Sequence, residues 1–204
     1  MIRRSIDVVV SATVLLLFSP VFIAIAMAIR LDSPGDVIYR AWRVGRGGRR
    51  FRMLKFRSMV ADADRRGSAV TSAGDNRITP VGHFLRATKL DEFPQFWNVF
   101  KGEMTLIGPR PEAPEIVELY TPEQQRILSV KPGLTGPGAI SCTVDESMTI
   151  PDVGDSAQYY CDHVLARRLK LDADYIRNRS AATDLALISR TVGLMFRALI
   201  RKPA

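Results

Sequence analysis

The chain has 204 residues, 47% of them hydrophobic, and a formal net charge of +8. Once a membrane segment is set aside, that length suits one domain with a real core. Two cysteines outside any CxxC pattern and two histidines exclude a disulfide framework and argue against zinc; free thiols suit a reducing compartment.

The first predicted element is the apolar run from Val8 to Ile29, long enough to cross a bilayer but interrupted by Ser19-Pro20. Arginine flanks it on both sides, Arg3 and Arg4 before and Arg30, Arg40, Arg43 and Arg46 after. Basic flanks favour the cytoplasmic side, and a spanning helix would place one of them across the membrane. Pro20 removes a backbone donor and clashes with the carbonyl four residues earlier, which predicts a kink. The Ser19 hydroxyl is the nearest partner for a freed carbonyl. A re-entrant helix-break-helix fits both observations. A bitopic anchor and a secretory signal are the alternatives. Ala24, Ala26 and Ala28 offer cleavage spacing for a signal, but the run exceeds the usual apolar region, and Asp7 interrupts the basic start.

From Val37 to Ala61 there are eight Arg or Lys residues and no carboxylate. Just after a membrane segment, anionic lipid headgroup is the expected partner. Nucleic acid ranks below it, because no recognisable binding module accompanies the charge. Val37 to Tyr39 and Phe51 to Phe56, separated by Gly45, Gly47 and Gly48, predict a β-hairpin. Residues 62–76 are small and polar, and read as a mobile loop that includes Ser68. A helix is predicted over Pro80 to Thr88 with Phe84 and Leu85 inward, and a second begins at about Asp91. On the second, Phe93, Phe96, Trp97 and Phe100 recur at helical spacing, and core packing is the simplest reading of that stripe.

Ile107 to Pro114 reads as a rigid loop, Pro122 to Val130 as a short helix, and Lys131 to Gly138 as another loop. Near the C-terminus Ile188, Thr191, Val192, Met195 and Leu199 share one side of a helix, with Arg190, Arg197 and Arg201 on the other. That pattern suits an interfacial amphipathic helix, or equally a surface helix packed on a core.

Chemistry centres on Asp91-Glu92, read as the first turn of the aromatic helix, where the dipole would keep carboxylates ionised and attract phosphate. An ionised aspartate can attack phosphorus and split one hard displacement into two easier ones. A neighbouring carboxylate can hold magnesium. By itself the pair is ordinarily a helix cap. Arg86 and Arg110 supply context, since guanidinium groups suit phosphate.

At these residues the chain resembles a known family. KFRSM at Lys55 to Met59, TPVGHFLRATKLDEFPQFWNVFKGEMTLIGPRPE from Thr79 to Glu112, KPGLTG at Lys131 to Gly136, the Ser19-Pro20 break and LKLDADYIRNRS from Leu169 to Ser180 are similar to the bacterial sugar transferases, the monotopic phosphoglycosyl transferases. The likeness covers nearly the whole chain and is to the small, single-domain members. It implies an α+β, mostly helical fold with a small β-hairpin and interfacial amphipathic helices. Residues 1–31 would form the re-entrant membrane helix, and residues 32–204 a cytosolic catalytic domain ending in the amphipathic helix.

The resemblance further implies transfer of a sugar 1-phosphate from a UDP-sugar to polyprenyl (undecaprenyl) phosphate, releasing UMP, with Mg2+ required. The location implied is the cytoplasmic face of the bacterial inner membrane. Asp91 falls on the family's covalent nucleophile, and Glu92 on the glutamate beside it; the two are the metal candidates. Arg86 and Arg110 match phosphate-binding arginines, and Lys55 and Arg57 join them as substrate-binding candidates. A homodimer through the C-terminal helix is compatible with the pattern. One departure stands out: the run from Pro137 to Thr143, followed by Asp145-Glu146, lacks the arginine that commonly follows PGLTG in the family. Part of the nucleotide-sugar contact therefore differs. A lipid-phosphate phosphatase and a non-catalytic scaffold of glycan assembly are the rival functions.

Overall fold

The computed structural model describes residues 2–67, 70–72, 74–144, 150–151 and 156–200. Its helices are α1 (Ile2–Leu17), α2 (Ser19–Asp32), α3 (Ala63–Arg66), α4 (Pro80–Thr88), α5 (Gln95–Lys101), α6 (Pro114–Val117), α7 (Pro122–Gln125), α8 (Pro137–Val144), α9 (Ser156–Tyr159), α10 (Ala166–Asn178) and α11 (Ala181–Ile200). The strands β1 (Ile38–Val44) and β2 (Arg50–Phe56) form an antiparallel hairpin; β3 (Thr105–Ile107) and β4 (Gly133–Thr135) form a short parallel pair. The fold is α+β and mostly helical.

The helix pair α1 and α2 bends by 60° at Ser19-Pro20. Pro20 has no N–H for the Leu16 carbonyl, and the Ser19 hydroxyl donates to that oxygen instead at 2.8 Å. No single described helix is long and apolar enough to cross a membrane, and only the bent pair passes that test. Both outer ends of the pair are tied to the same body. Arg4 donates to the carbonyls of Val99 and Phe100 at 2.6 Å each, at the end of α5. The buried Asp7 accepts from the Leu106 amide and the Thr105 hydroxyl of β3. At the far end Arg57, on the strand side of the hairpin, donates to the carbonyls of Ser33 and Pro34 that follow α2.

Three sequence expectations are corrected. The aromatic stripe is core only in part: Phe93 and Phe96 are partly buried and pack against the core, but Trp97 and Phe100 are exposed and stack on each other. The buried face of α5 is instead Gln95, Asn98 and Val99, because α5 packs against the outer edge of β2. There the Asn98 side chain accepts from the Leu54 amide at 3.0 Å and donates to the Arg52 carbonyl at 2.7 Å, standing in for a third strand. Phe84 is also exposed, while Leu85 points inward from α4 as expected. Lastly, the glycine-rich 131–138 segment contains β4. Gly133 sits so close to Gly108 that a Cβ would lie 2.1 Å from the Gly108 nitrogen, so the strand is built from residues that resemble a loop.

The hairpin runs further than its apolar ends, pairing Ile38 with Phe56 through Val44 with Arg50. Within residues 62–76 the chain forms α3, and residue 68 lies outside the described residues. In α11, Thr191 bonds Thr135 and Leu187 joins the core, whereas Leu185, Ile188, Val192 and Phe196 are exposed. Its apolar side is thus split between the body and the outside. The Leu199 side chain, Arg201 and Asp145-Glu146 lie outside the described residues.

Candidate active site

Thr79 caps α4 by accepting from the Gly82 amide, and Pro80 opens the helix. Gly82 approaches the Ser58 carbonyl so closely that an added Cβ would lie 1.9 Å from it, which locks α4 onto the KFRSM segment. The helix stops at Lys89, whose φ of 61° lies in the left-handed region. Leu90–Glu92 then form a 3-10 turn before α5 starts at Gln95. Asp91 and Glu92 therefore sit on a turn between two helices, not in the first turn of the aromatic helix, and side chains set their charge rather than a helix dipole.

Those side chains treat the two carboxylates differently. Glu92 receives Lys55 Nζ at 3.0 Å and Arg110 Nη2 at 2.7 Å. Burial would raise its pKa, but Arg110 and Lys55 outweigh that and hold it well below the usual glutamate range. Asp91 is 5% exposed, and its nearest cation is Lys55 Nζ at 3.9 Å from Oδ2. Burial pushes its carboxyl up, with Lys55 opposing. Its Oδ1 is buried and has no hydrogen-bond partner among the described residues.

Asp91 lines a cavity of about 650 Å³, within the roughly 300–1,000 Å³ common for small-molecule sites. The wall carries eight arginine and lysine side chains against the two carboxylates of Asp91 and Glu112. Such a surplus selects an anionic ligand. Sequence-predicted Lys55, Arg57, Arg86 and Arg110 all reach this wall. Their situations differ: Lys55 and Arg110 grip Glu92, Arg57 is engaged by the carbonyls after α2, and the half-buried Arg86 has no hydrogen-bonded partner among the described residues. Ser19 and Pro20 stand apart at the helix break.

In the same cavity wall, and extending behind it to Asp172, lies a second network that the sequence reading did not single out. Arg168 of α10 is 3% exposed and bonds the Glu112 carboxylate, the Tyr160 hydroxyl and, at 3.4 Å, the Arg110 carbonyl. Tyr160 also donates to Glu112, and it opens a π-helical stretch, Tyr160–Leu165, of the kind that often marks a functional position. Asp172, one turn further along α10, accepts from the Gly138 amide at 3.0 Å and so fixes the start of α8. Burial pushes its carboxyl up to about 6. On the opposite wall α8 contributes Ala139, Cys142 and Thr143 where the resemblance would have an arginine nearby.

A buried carboxylate with one free oxygen, facing a cationic cavity beside a bent apolar helix pair, matches the resemblance drawn from sequence. The model for the bacterial sugar transferase family matches residues 1–198. This chain belongs to the bacterial sugar transferase family. Among relatives of this sugar transferase, a UDP-glucose:undecaprenyl-phosphate glucose-1-phosphate transferase of Caulobacter vibrioides is 36% identical over 193 residues, covering 93% of this chain and 68% of the relative. An Escherichia coli protein of the same description is 36% identical over 207 residues, covering all of this chain but 41% of its own length. Exopolysaccharide production protein ExoY of Rhizobium meliloti is 34% identical, with 94% and 84% covered. The chain thus spans from about two fifths to over four fifths of these relatives.

Proposed function

We propose that this sugar transferase moves a sugar 1-phosphate from a UDP-sugar to undecaprenyl phosphate and releases UMP, as the first membrane step of a bacterial glycoconjugate or polysaccharide. The observation that carries the reading is Asp91, a buried carboxylate with one oxygen unpartnered among the described residues, in the wall of a cavity with a large cationic surplus.

In the first step an Asp91 carboxylate oxygen forms a bond to the sugar-bearing phosphorus, and the bond from that phosphorus to the UMP oxygen breaks. UMP leaves with the electron pair. In the second, a polyprenyl phosphate oxygen attacks the phosphosugar and frees the Asp91 carboxylate. Burial makes Asp91 reactive by denying it water, Lys55 favours its anionic form against that burial, and Glu92 positions Lys55 and Arg110.

Magnesium fits this donor set through Asp91 Oδ1, whereas Arg110 and Lys55 already occupy Glu92. Among the described residues no three metal-binding side chains gather, so the ion would take its other ligands from substrate and water, as magnesium commonly does. When bound it would neutralise phosphate oxygens and the developing charge on the leaving group.

The membrane reading is supported by the docking of both ends of the α1–α2 pair on one body. A spanning arrangement would part those ends by the roughly 30 Å hydrocarbon core. We place the protein on the cytoplasmic leaflet as a re-entrant, monotopic enzyme, with the exposed apolar faces of α1, α2 and α11 in the lipid. An α11 homodimer is the alternative use of that last face, and the mass of the particle in nanodiscs tells them apart. Cysteines introduced near residues 3 and 32 should be labelled from the same side; opposite sides would defeat the hairpin.

The deciding assay is UMP release by the full chain given undecaprenyl phosphate, magnesium and a panel of UDP-sugars. Asp91→Asn should lower turnover at least about a thousandfold. Near-normal turnover in that variant would sink the covalent mechanism, and inorganic phosphate in place of UMP would favour a phosphatase.

A further inference from the structure

Of the cations that line the cavity, most have a partner inside the protein. Arg43 differs. It lies on β1, where strand alternation puts Tyr39, Ala41 and Arg43 on one face: Ala41 is buried against the body, while Tyr39 and Arg43 reach the cavity wall. Its neighbours Arg40 and Trp42 face outward and are exposed. The Val44 amide donates to the Glu112 carbonyl at 3.0 Å, so this end of β1 runs along the IGPRPE segment, and Arg43 enters the cavity beside Arg110.

The only hydrogen bond of Arg43 among the described residues is to the carbonyl of Trp42, at 2.8 Å. It has no ion pair there. Glu112, the nearest source of negative charge, is bonded to Arg168 and Tyr160. The Arg43 pKa is lowered first by burial and then, against the pull of Glu112, by the charge of Arg110. A half-buried guanidinium that repels its neighbour and lacks a carboxylate of its own leaves a position that an anion would complete.

We propose that Arg43 binds a phosphoryl group of substrate in the cavity whose wall it shares with Asp91 and Arg86. This rests on the transferase reading and adds a residue to it. The group has two sources of the same chemistry, the phosphate of the departing nucleotide and the phosphate of the lipid acceptor. Arg43→Gln removes the charge while keeping an amide that can still donate to the Trp42 carbonyl.

The experiment titrates the full chain in nanodiscs with UMP and, separately, with a short-chain polyprenyl phosphate, comparing wild type, Arg43→Gln, Arg43→Lys and the outward-facing control Arg49→Gln. Loss of one charge-assisted contact should weaken one probe at least about tenfold. Weakened UMP with unchanged lipid phosphate assigns Arg43 to the nucleotide, and the reverse assigns it to the acceptor. Arg43→Lys should recover part of the loss, and Arg49→Gln should behave as wild type. If both probes bind Arg43→Gln within about twofold of wild type, at an unchanged melting temperature, the inference is overturned while the transferase stands. If neither probe binds wild type, both fall.

Discussion

Asp91 and Glu92 at the cavity can be set against Asp172 and Glu112 behind and beside it. Each set joins one carboxylate gripped by arginine to one that burial pushes toward the neutral form. In each, the carboxylate that burial pushes up keeps a buried oxygen without a partner among the described residues. The difference is access. Asp91 opens on a cavity rich in cations, whereas Asp172 is fully buried, is not part of the cavity wall and lies against Gly138, where an added Cβ would sit 2.7 Å from its Oδ2. The same electrostatic strain is thus available to a ligand at one place and sealed into the packing at the other.

The strongest way to break this comparison is Arg168→Ala. It leaves Glu112 and the Tyr160 hydroxyl without their cation and should destabilise the fold by about 3–5 kcal/mol in denaturant unfolding. A loss below about 1 kcal/mol would mean that the Arg168 network is not structural. Asp172→Asn tests the sealed carboxyl more gently, because asparagine can still accept from the Gly138 amide. With a folded pKa of about 6 against an ordinary 3.8, the native state binds more protons than the unfolded chain between those values. Its contribution to stability therefore falls as pH rises from about 4 to 6, by about 3 kcal/mol in all, and is flat above. Subtracting the variant's stability curve from that of wild type should isolate this slope, and parallel curves would contradict it.

A smaller effect sharpens the front pair. Because burial raises the Asp91 carboxyl, the acid limb of kcat/KM should lie above the ordinary aspartate value of 3.8, with activity lost as pH falls through it. A limb at or below that value would show that the cations offset burial completely.

Much of this was legible in the sequence where local chemistry is strong. Pro80, the Ser19-Pro20 break and the apolar ends of the hairpin marked α4, the bend and the strands. The Asp91-Glu92 pair and its partners Lys55 and Arg110 could be named from motif and charge. What stayed hidden depends on tertiary neighbours. The whole aromatic stripe looked like core, yet only Phe93 and Phe96 pack inward, because periodicity reports a face without saying what covers it; the polar Asn98 proved to be a fully buried contact of α5, through hydrogen bonds to a strand edge. The β3–β4 pair was obscured by the glycines that permit its close approach. Arg43 was one of eight cations between Val37 and Ala61, and only strand alternation separates it from the outward ones. Arg168 and Asp172 read as ordinary helical charges until their long-range partners are placed.

The anchoring of α1 has a practical consequence. Arg4 supplies donors to the last carbonyls of α5, and Asp7 receives the Leu106 amide. Trimming the apolar N-terminus to obtain a water-soluble catalyst would strip partners from the helix that follows the Asp91 turn and from the strand that leads to Arg110. The hydrophobic lead braces the elements next to the cavity without lining it, so solubility has to be sought by changing its outward side chains and keeping the helix itself.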